Sequence, residues 1–322
     1  MKKTKLWLII GVILMVAGIG LAAVGTVSGA TWNWRFNFSD FKIHTGSDNY
    51  IKDTKALEAF DKLIIDTSTI DINITKGNEY SITYFVPEDR TPEISSKNGV
   101  TTINFEKDNS ITFLDFSFMF NHEENSYVNI TIPDSEAVKV IDITSSTADI
   151  KISSLSIDGK ISTSTGDIRL ENNKMGDMGF SVSTGDIYID NCSIDSLETK
   201  ASTGEVKLTN SAIAGKYTSK TSTGDVTISG SELDGFTLSG STSDVTVSSS
   251  TIENIKLETS TGDIKLGLNG TEDEYSIEIY TSTGDIDIDG EEFEKKYKKN
   301  TSGSRSININ TSTGDVDIDF GK

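Results

Sequence analysis

Aliphatic residues alternate with polar residues in short stretches that recur along most of the chain. Each stretch begins with Ser-Thr-Gly-Asp or a close variant; an Ile or Val follows the acid, and a second aliphatic residue stands two positions later. The acid of this motif occurs at ten positions: Asp71, Asp149, Asp167, Asp186, Glu205, Asp225, Asp244, Asp263, Asp285 and Asp315. Because alternate residues of a strand share a face, each motif predicts a strand with one buried face.

The copies of the motif follow one another at nearly constant spacing. From Asp149 to Asp263 the steps are 18, 19, 19, 20, 19 and 19 residues, and the next two are 22 and 30. Further apolar residues fall between the motifs, such as Leu233 and Phe236. The pattern predicts an all-β fold, a parallel β-solenoid (β-helix) of about 19-residue coils with two or three short strands in each.

Equivalent residues of successive coils are predicted to stack about 4.8 Å apart, so that each column of the motif forms a ladder. Gly precedes the acid in seven copies, which indicates a tight corner with positive φ. The acids then form a ladder of like charges, which repel one another unless they are hydrogen-bonded or neutralised. Basic residues stand two positions after four of the acids, at Lys151, Arg169, Lys207 and Lys265. We expect these cations to neutralise much of the acidic ladder.

Segment 75–132 separates the first motif from the second. It contains strand-like stretches such as YSITYFVP and YVNITIP. We interpret it as an antiparallel insertion or as a cap on the first coil, because the open end of a solenoid is an exposed edge. Regular coils are predicted over residues 133–322. The loop GEEFEKKYKKNTSGSRS precedes the last motif and is a candidate cover for the last coil.

The N-terminal residues predict a single-pass membrane anchor. Three lysines in residues 1–5 precede an apolar run over residues 6–27, about 22 residues, which is enough to cross a hydrocarbon core of about 30 Å as a helix. The lysines favour a cytoplasmic N-terminus, so a juxtamembrane tether over 28–57 and a solenoid over 58–322 are predicted outside the membrane. The alternative is a cleaved signal peptide, although the run is longer than a typical signal core.

Composition narrows the range of partners. The formal net charge is −20, and 35% of the residues are hydrophobic. This acidic balance argues against nucleic acid, because phosphate binding needs clustered Lys and Arg. Cys192 is the only cysteine, which excludes an intramolecular disulfide and a cysteine metal site. The expected contacts are membrane lipid, through the anchor, and an envelope protein or polysaccharide.

No residue pattern predicts a catalytic or cofactor-binding site. The acids recur once in each coil, which suits a structural role, and the two histidines, His44 and His122, lie outside the repeat. Two D-x-D-x-D stretches are candidates for binding Ca²⁺, because alternate residues of a strand share a face and Ca²⁺ prefers oxygen ligands. The candidate ligands are Asp285, Asp287, Asp289, Asp315, Asp317 and Asp319. The competing interpretation is an acidic face that keeps the end of the solenoid soluble.

Several segments resemble the putative-adhesin family of bacterial envelope proteins. They are FDKLIIDTSTIDINI, YVNITIPDS and the recurring S-T-G-D-I/V, together with the anchor, and the resemblance covers about residues 58–322. It implies a membrane-attached β-helical domain without catalytic residues. It also implies an association with envelope-stress or small transcription-regulator systems in Gram-positive bacteria.

Two functions are compatible with these features. The first is a non-catalytic, adhesin-like surface module that binds its partner on the flank of the solenoid. The second is an accessory component of a membrane-bound envelope-stress or regulatory complex, which contacts its partners through the predicted helix. Exchanging the helix for an unrelated one separates them, because only the second function depends on the sequence of the helix.

Overall fold

The computed structural model describes residues 34–37, 42–45, 49–105, 126–133, 139–300 and 303–321. Strands β1 (Trp34–Asn37) and β2 (Lys42–Thr45) pair antiparallel, and the remaining strands form a second unit. Among the described residues, no helix has the length and apolar character needed to cross a membrane. The predicted span at residues 6–27 lies outside them.

Strands make up most of the described second unit, with 3₁₀ turns at Glu88–Arg90 and Glu272–Glu274. The first strands are β3 (Tyr50–Ala56), β4 (Lys62–Thr67), β5 (Asp71–Gly77), β6 (Ser81–Pro87), β7 (Glu93–Lys97), β8 (Val100–Asn104) and β9 (Tyr127–Pro133). Next come β10 (Lys139–Thr147), β11 (Ile150–Ser153), β12 (Ser156–Thr165), β13 (Ile168–Glu171), β14 (Lys174–Thr184), β15 (Ile187–Asp190), β16 (Ser193–Thr203), β17 (Val206–Thr209), β18 (Ala212–Thr223), β19 (Val226–Ser229), β20 (Glu232–Thr242), β21 (Val245–Ile252), β22 (Asn254–Thr261) and β23 (Ile264–Leu268). The last are β24 (Tyr275–Thr283), β25 (Ile286–Ile288), β26 (Glu291–Phe293), β27 (Lys296–Lys299), β28 (Arg305–Thr313) and β29 (Val316–Phe320).

Each coil contributes one strand to each of two sheets. We name them the short-strand sheet, whose strands follow the motif acid, and the long-strand sheet, whose strands lead into it. The short-strand sheet has the order β3-β6-β9-β5-β11-β13-β15-β17-β19-β21-β23-β29-β25-β26. The long-strand sheet has the order β7-β8-β4-β10-β12-β14-β16-β18-β20-β22-β28-β24-β27. The all-β prediction is confirmed, and coils stack in parallel with equivalent residues in register.

The core lies between the two sheets and follows the predicted columns. The residue after the motif acid and the aliphatic residue two positions further on are buried in all ten copies. Long strands supply the opposite wall, as with Met178 and Phe180 of β14. Several long strands shift register near their middle, for example between Ile194 and Leu197 of β16. The predicted apolar residues between motifs therefore lie along one bent strand in most coils.

Two kinds of corner turn the chain from one sheet to the other. The Gly before the motif acid has positive φ at six positions, for example +137° at Gly185. A Cβ atom there would lie 2.2 Å from the carbonyl oxygen of Gly166 in the preceding coil, so only glycine fits. After the short strand, left-handed backbone falls on Asn172, Asn191 and Asn210, a residue type that tolerates it. The predicted glycine corner with positive φ is confirmed at six of the seven motif glycines; Gly224 is the exception.

Antiparallel strands cover both ends of the stack. At one end, β6 pairs antiparallel with β9, β3 with β6, and β7 with β8. At the other, β26 pairs with β25 and β27 with β24. Within segment 75–132, β8 and β9 continue the parallel stack, while β6 and β7 cover it. Strand β3 lies in the range interpreted from sequence as a tether, and it is part of this covering.

The coils near the C-terminus do not stack in chain order. The last coil, β28 and β29, lies between β22 and β23 on one side and β24 and β25 on the other. The long step of 30 residues before the last motif lets the chain pass around the coil of β24 and β25 and return. The lysine-rich segment that contains β26 and β27 is predicted from sequence to cover the last coil. It instead covers the coil of β24 and β25.

Candidate binding surface

The outward face of the short-strand sheet carries one continuous row of side chains, which we name the outer row. Its eleven members occupy directly paired positions on neighbouring strands; ten of them stand two positions after a motif acid, and the eleventh is Asn129 of β9. In spatial order they are Asn129, Asn73, Lys151, Arg169, Tyr188, Lys207, Thr227, Thr246, Lys265, Asp317 and Asp287. Basic and aromatic residues are concentrated from Lys151 to Lys207, whereas acids occupy the C-terminal end.

The motif acids run beside the outer row as a hydrogen-bonded ladder. In eight places the backbone N–H of one motif acid donates to the Oδ1 atom of the acid in the neighbouring coil of the stack, at 2.7–3.0 Å. The N–H of Asp167, for example, donates to Asp149 at 2.9 Å. The ladder is interrupted where Glu205 precedes Asp225, since no bond between them occurs in the described part of the chain. Eight of the ten motif carboxylates are thus held by a backbone amide, which lowers the cost of stacking like charges.

The cations of the outer row neutralise the ladder less than the sequence suggested. Arg169 donates from both terminal nitrogens to Oδ2 of Asp167, at 2.9 and 2.8 Å. Lys151 instead donates to Glu171 at 2.8 Å. Lys207 and Lys265 make no ion pair with any described residue. Among the described residues, the expected neutralisation is therefore observed at Arg169, and eight of the ten motif acids, Asp167 included, accept a backbone amide.

Arg169 and Tyr188 form the centre of the basic stretch. The guanidinium carbon of Arg169 lies 4.6 Å from the centre of the Tyr188 ring, a cation–π contact. The Tyr188 hydroxyl donates to Oδ2 of Asp186 at 2.7 Å. This bond, followed by burial, raises the pKa of Tyr188 to about 12. The hydroxyl bond and the cation–π contact together fix the Tyr188 ring, which presents a neutral phenol beside the Arg169 cation.

The six aspartates proposed as calcium ligands are divided between corners and strands. Three of them accept backbone amides. The bonds are Asp285 N–H to Asp315, Gly290 N–H to Asp287 and Phe320 N–H to Asp289, at 2.9, 2.7 and 2.8 Å. Asp287 and Asp317 face each other in register, whereas Asp289 lies in a left-handed corner. Within the described residues, no group of three or more metal-ligating side chains is assembled. Calcium binding stays a prediction.

A second regular feature is a line of exposed hydroxyls along the corner before the acid. The Thr two positions before the acid is exposed and in register from coil to coil. These residues are Thr147, Thr165, Thr184, Thr203, Thr223, Thr242, Thr261, Thr313 and Thr283.

Of the two histidines, His44 lies in β2, and His122 lies outside the described residues.

A stack of parallel coils with polar outer faces defines the class of protein, a β-repeat protein built on one recurring coil. The profile of the Toastrack DUF4097 family matches residues 60–319. The chain therefore belongs to this family, and the resemblance to a β-repeat, adhesin-like family is confirmed. No curated protein sequence matches the chain.

Solved structures of two bacterial proteins are similar to this chain. A putative adhesin from Bacteroides fragilis is 15% identical, with a TM-score of 0.50, and the match covers 68% of this chain and 97% of that one. A putative lipid-binding protein from Parabacteroides distasonis is 13% identical, with a TM-score of 0.49, and the match covers 84% of this chain and 98% of that one. The likeness to the Bacteroides fragilis structure shows a common fold and nothing further.

Proposed function

We propose that the chain is a non-catalytic, adhesin-like binding module of the bacterial cell envelope, which contacts its partner through the outer row. One observation carries the proposal: Lys151, Arg169, Tyr188 and Lys207 stand side by side on the short-strand sheet of a protein whose net charge is −20. Side chains in register at about 4.8 Å present a regular array to an extended partner such as a polysaccharide or a protein surface.

A pair of matched triple variants tests this surface. The first replaces Lys151, Tyr188 and Lys207 with Ser. The control replaces Lys200, Lys220 and the exposed Tyr280 of the long-strand sheet with Ser, so both remove two lysines and one tyrosine. The measurement is cosedimentation of the detergent-solubilised full chain with washed envelope fragments. We expect at least a fivefold loss for the outer-row variant and retention by the control; equal retention of both contradicts the proposal.

We further propose that residues 6–27 anchor the module in the membrane, with the solenoid outside. The apolar run and the preceding lysines support this arrangement. We expect the protein in the membrane fraction and digested by protease added outside wall-stripped cells. A secreted product that begins near Thr31 contradicts the uncleaved anchor.

A further inference from the structure

A cleft of about 290 Å³ opens on the short-strand sheet where the outer row reaches the covering strands. Tyr127 on β9 lines one side, and Lys151 and Arg169 line the other. Between them stand the short side chains of Asp71, Asn73 and Asp149. The cleft exists because short residues on β5 and at the start of β11 lie between longer ones. Its volume is close to the lower limit for small-molecule sites, about 300 Å³, which suits one ring-sized group.

An aromatic stack fixes the wall formed by Tyr127. Its ring stacks on Phe85 at 5.7 Å, and Phe85 stacks on Tyr50 at 4.9 Å. Strand β6, which carries Phe85, lies on one side of β9, and β5, which carries Asp71, lies on the other. Phe85 therefore covers one face of the Tyr127 ring, and the other face is turned toward the cleft. A held aromatic face can stack on a ring or contact a cation.

The floor of the cleft carries negative charge that no basic residue neutralises. Arg169 is bonded to Asp167, and Lys151 to Glu171. Asp71 and Asp149 make no ion pair within the described residues; each uses Oδ1 to accept one backbone amide. Burial is the main cause that raises the pKa of the Asp71 carboxyl. A ligand that brings a positive charge or hydroxyl donors would stabilise both carboxylates.

The neighbouring Asn73 adds an amide to this polar floor. Its Nδ2 donates to Oδ1 of Asn129 at 3.3 Å, and its own Oδ1 has no hydrogen-bond partner in the described structure. The larger groove of about 500 Å³ along the asparagine corner has no aromatic side chain. The cleft combines an aromatic face, unneutralised carboxylates and amide groups, and it lies in line with the outer row.

We propose that this cleft binds an amino sugar within a glycan chain, with the sugar ring stacked on Tyr127 and its ammonium and hydroxyl groups bonded to Asp71 and Asp149. The inference rests on the proposed function and names the ligand class for one end of the outer row.

The test is calorimetric titration of the full chain, at about pH 6, with soluble β-1,4-linked tetramers of glucosamine and of N-acetylglucosamine. The detergent must lack a sugar headgroup, since that group would compete. We expect saturable binding of the glucosamine tetramer, at least tenfold tighter than binding of the acetylated one, because only the former carries ammonium groups. Absence of saturable binding, or equal affinity for the two tetramers, overturns the proposal.

Three variants assign the binding to the cleft. Tyr127→Ala should weaken glucosamine-tetramer binding at least tenfold, and Tyr127→Phe, which keeps the ring, should stay within threefold. Asp149→Asn keeps an oxygen acceptor for the ladder and removes the charge, so it should lower affinity without changing the melting temperature. Tyr280→Ala on the other sheet is the control. An effect of Tyr127→Ala no larger than that of Tyr280→Ala, or an unchanged affinity of Asp149→Asn, overturns the assignment.

The two experiments separate the inference from the proposed function. If envelope cosedimentation depends on Lys151, Tyr188 and Lys207 but the tetramers do not bind, the glycan inference fails and the binding surface stands. If cosedimentation is also independent of those residues, both fail.

Discussion

Glu205 interrupts the ladder of motif acids, and replacing it with Asp should repair the ladder. Everywhere else an aspartate Oδ1 accepts the next acid's backbone N–H, but the N–H of Asp225 has no such acceptor in the described structure. Glutamate has one methylene more than aspartate, which carries its carboxylate past the amide about 4.8 Å away. Glu205→Asp leaves the net charge unchanged and leaves intact the bond that the Glu205 N–H donates to Asp186 at 2.7 Å.

The magnitude follows from the bond that is gained. A hydrogen bond contributes about 0.5–1.5 kcal/mol net, and the partial exposure of this corner places the gain near 1 kcal/mol. For a unit of this size, that gain raises the melting temperature by about 2 °C. The bond joins two coils in the middle of the stack, so it acts on the coil-to-coil interface that determines the stability of repeat proteins.

The assay is urea unfolding of the full chain, followed by circular dichroism, for three variants at position 205. Glu205→Asp should raise the unfolding free energy by about 1 kcal/mol. Glu205→Asn, which supplies an uncharged acceptor, should recover part of the gain, and Glu205→Ala should give none. If Asp is no more stable than Ala at this position, the ladder does not stabilise the stack and the reasoning is refuted.

Four further results are expected. Val226→Asp places a charge in the core, where Val226 is 0% exposed, and should cost at least about 3 kcal/mol, whereas the outward Thr227→Asp should cost under about 1 kcal/mol; equal losses in urea unfolding would mean that the wrong face is assigned as buried. Gly185→Ala should cost at least about 2 kcal/mol because of its positive φ, whereas Gly179→Ala, with ordinary contacts, should be nearly neutral by thermal melting; similar melting temperatures would contradict the corner. Calcium and magnesium at equal ionic strength should shift the melting temperature equally, and a large calcium-only shift would establish a site at the acidic end. Because the pKa of Tyr188 is raised to about 12, the stability from its neutral form is present below about pH 10 and lost as pH rises toward 12, which ultraviolet titration of the folded protein checks.

The sequence determined the coil and its buried face. Aliphatic residues one and three positions after each motif acid could only be buried together in a strand, because alternate residues share a face. The glycine column was equally informative, since a residue without Cβ indicates a close approach of backbone. The spacing of the motif determined that equivalent residues stack. These conclusions depend on local geometry that repeats in every coil, and local geometry can be read from a single stretch of chain.

The tertiary structure alone decided which groups each side chain meets. The sequence predicts that Lys and Arg neutralise much of the acidic ladder, but among the described residues only Arg169 pairs with a motif acid. Eight of the acids accept an amide of the neighbouring coil, a contact whose distance depends on how the coils stack. The last coil lies between two earlier ones, because a long connection permits either order and only packing selects one. The cleft beside Tyr127 joins strands that are distant in sequence. Its position depends on which strands cover the first coil, and the local sequence pattern does not predict which strands those are.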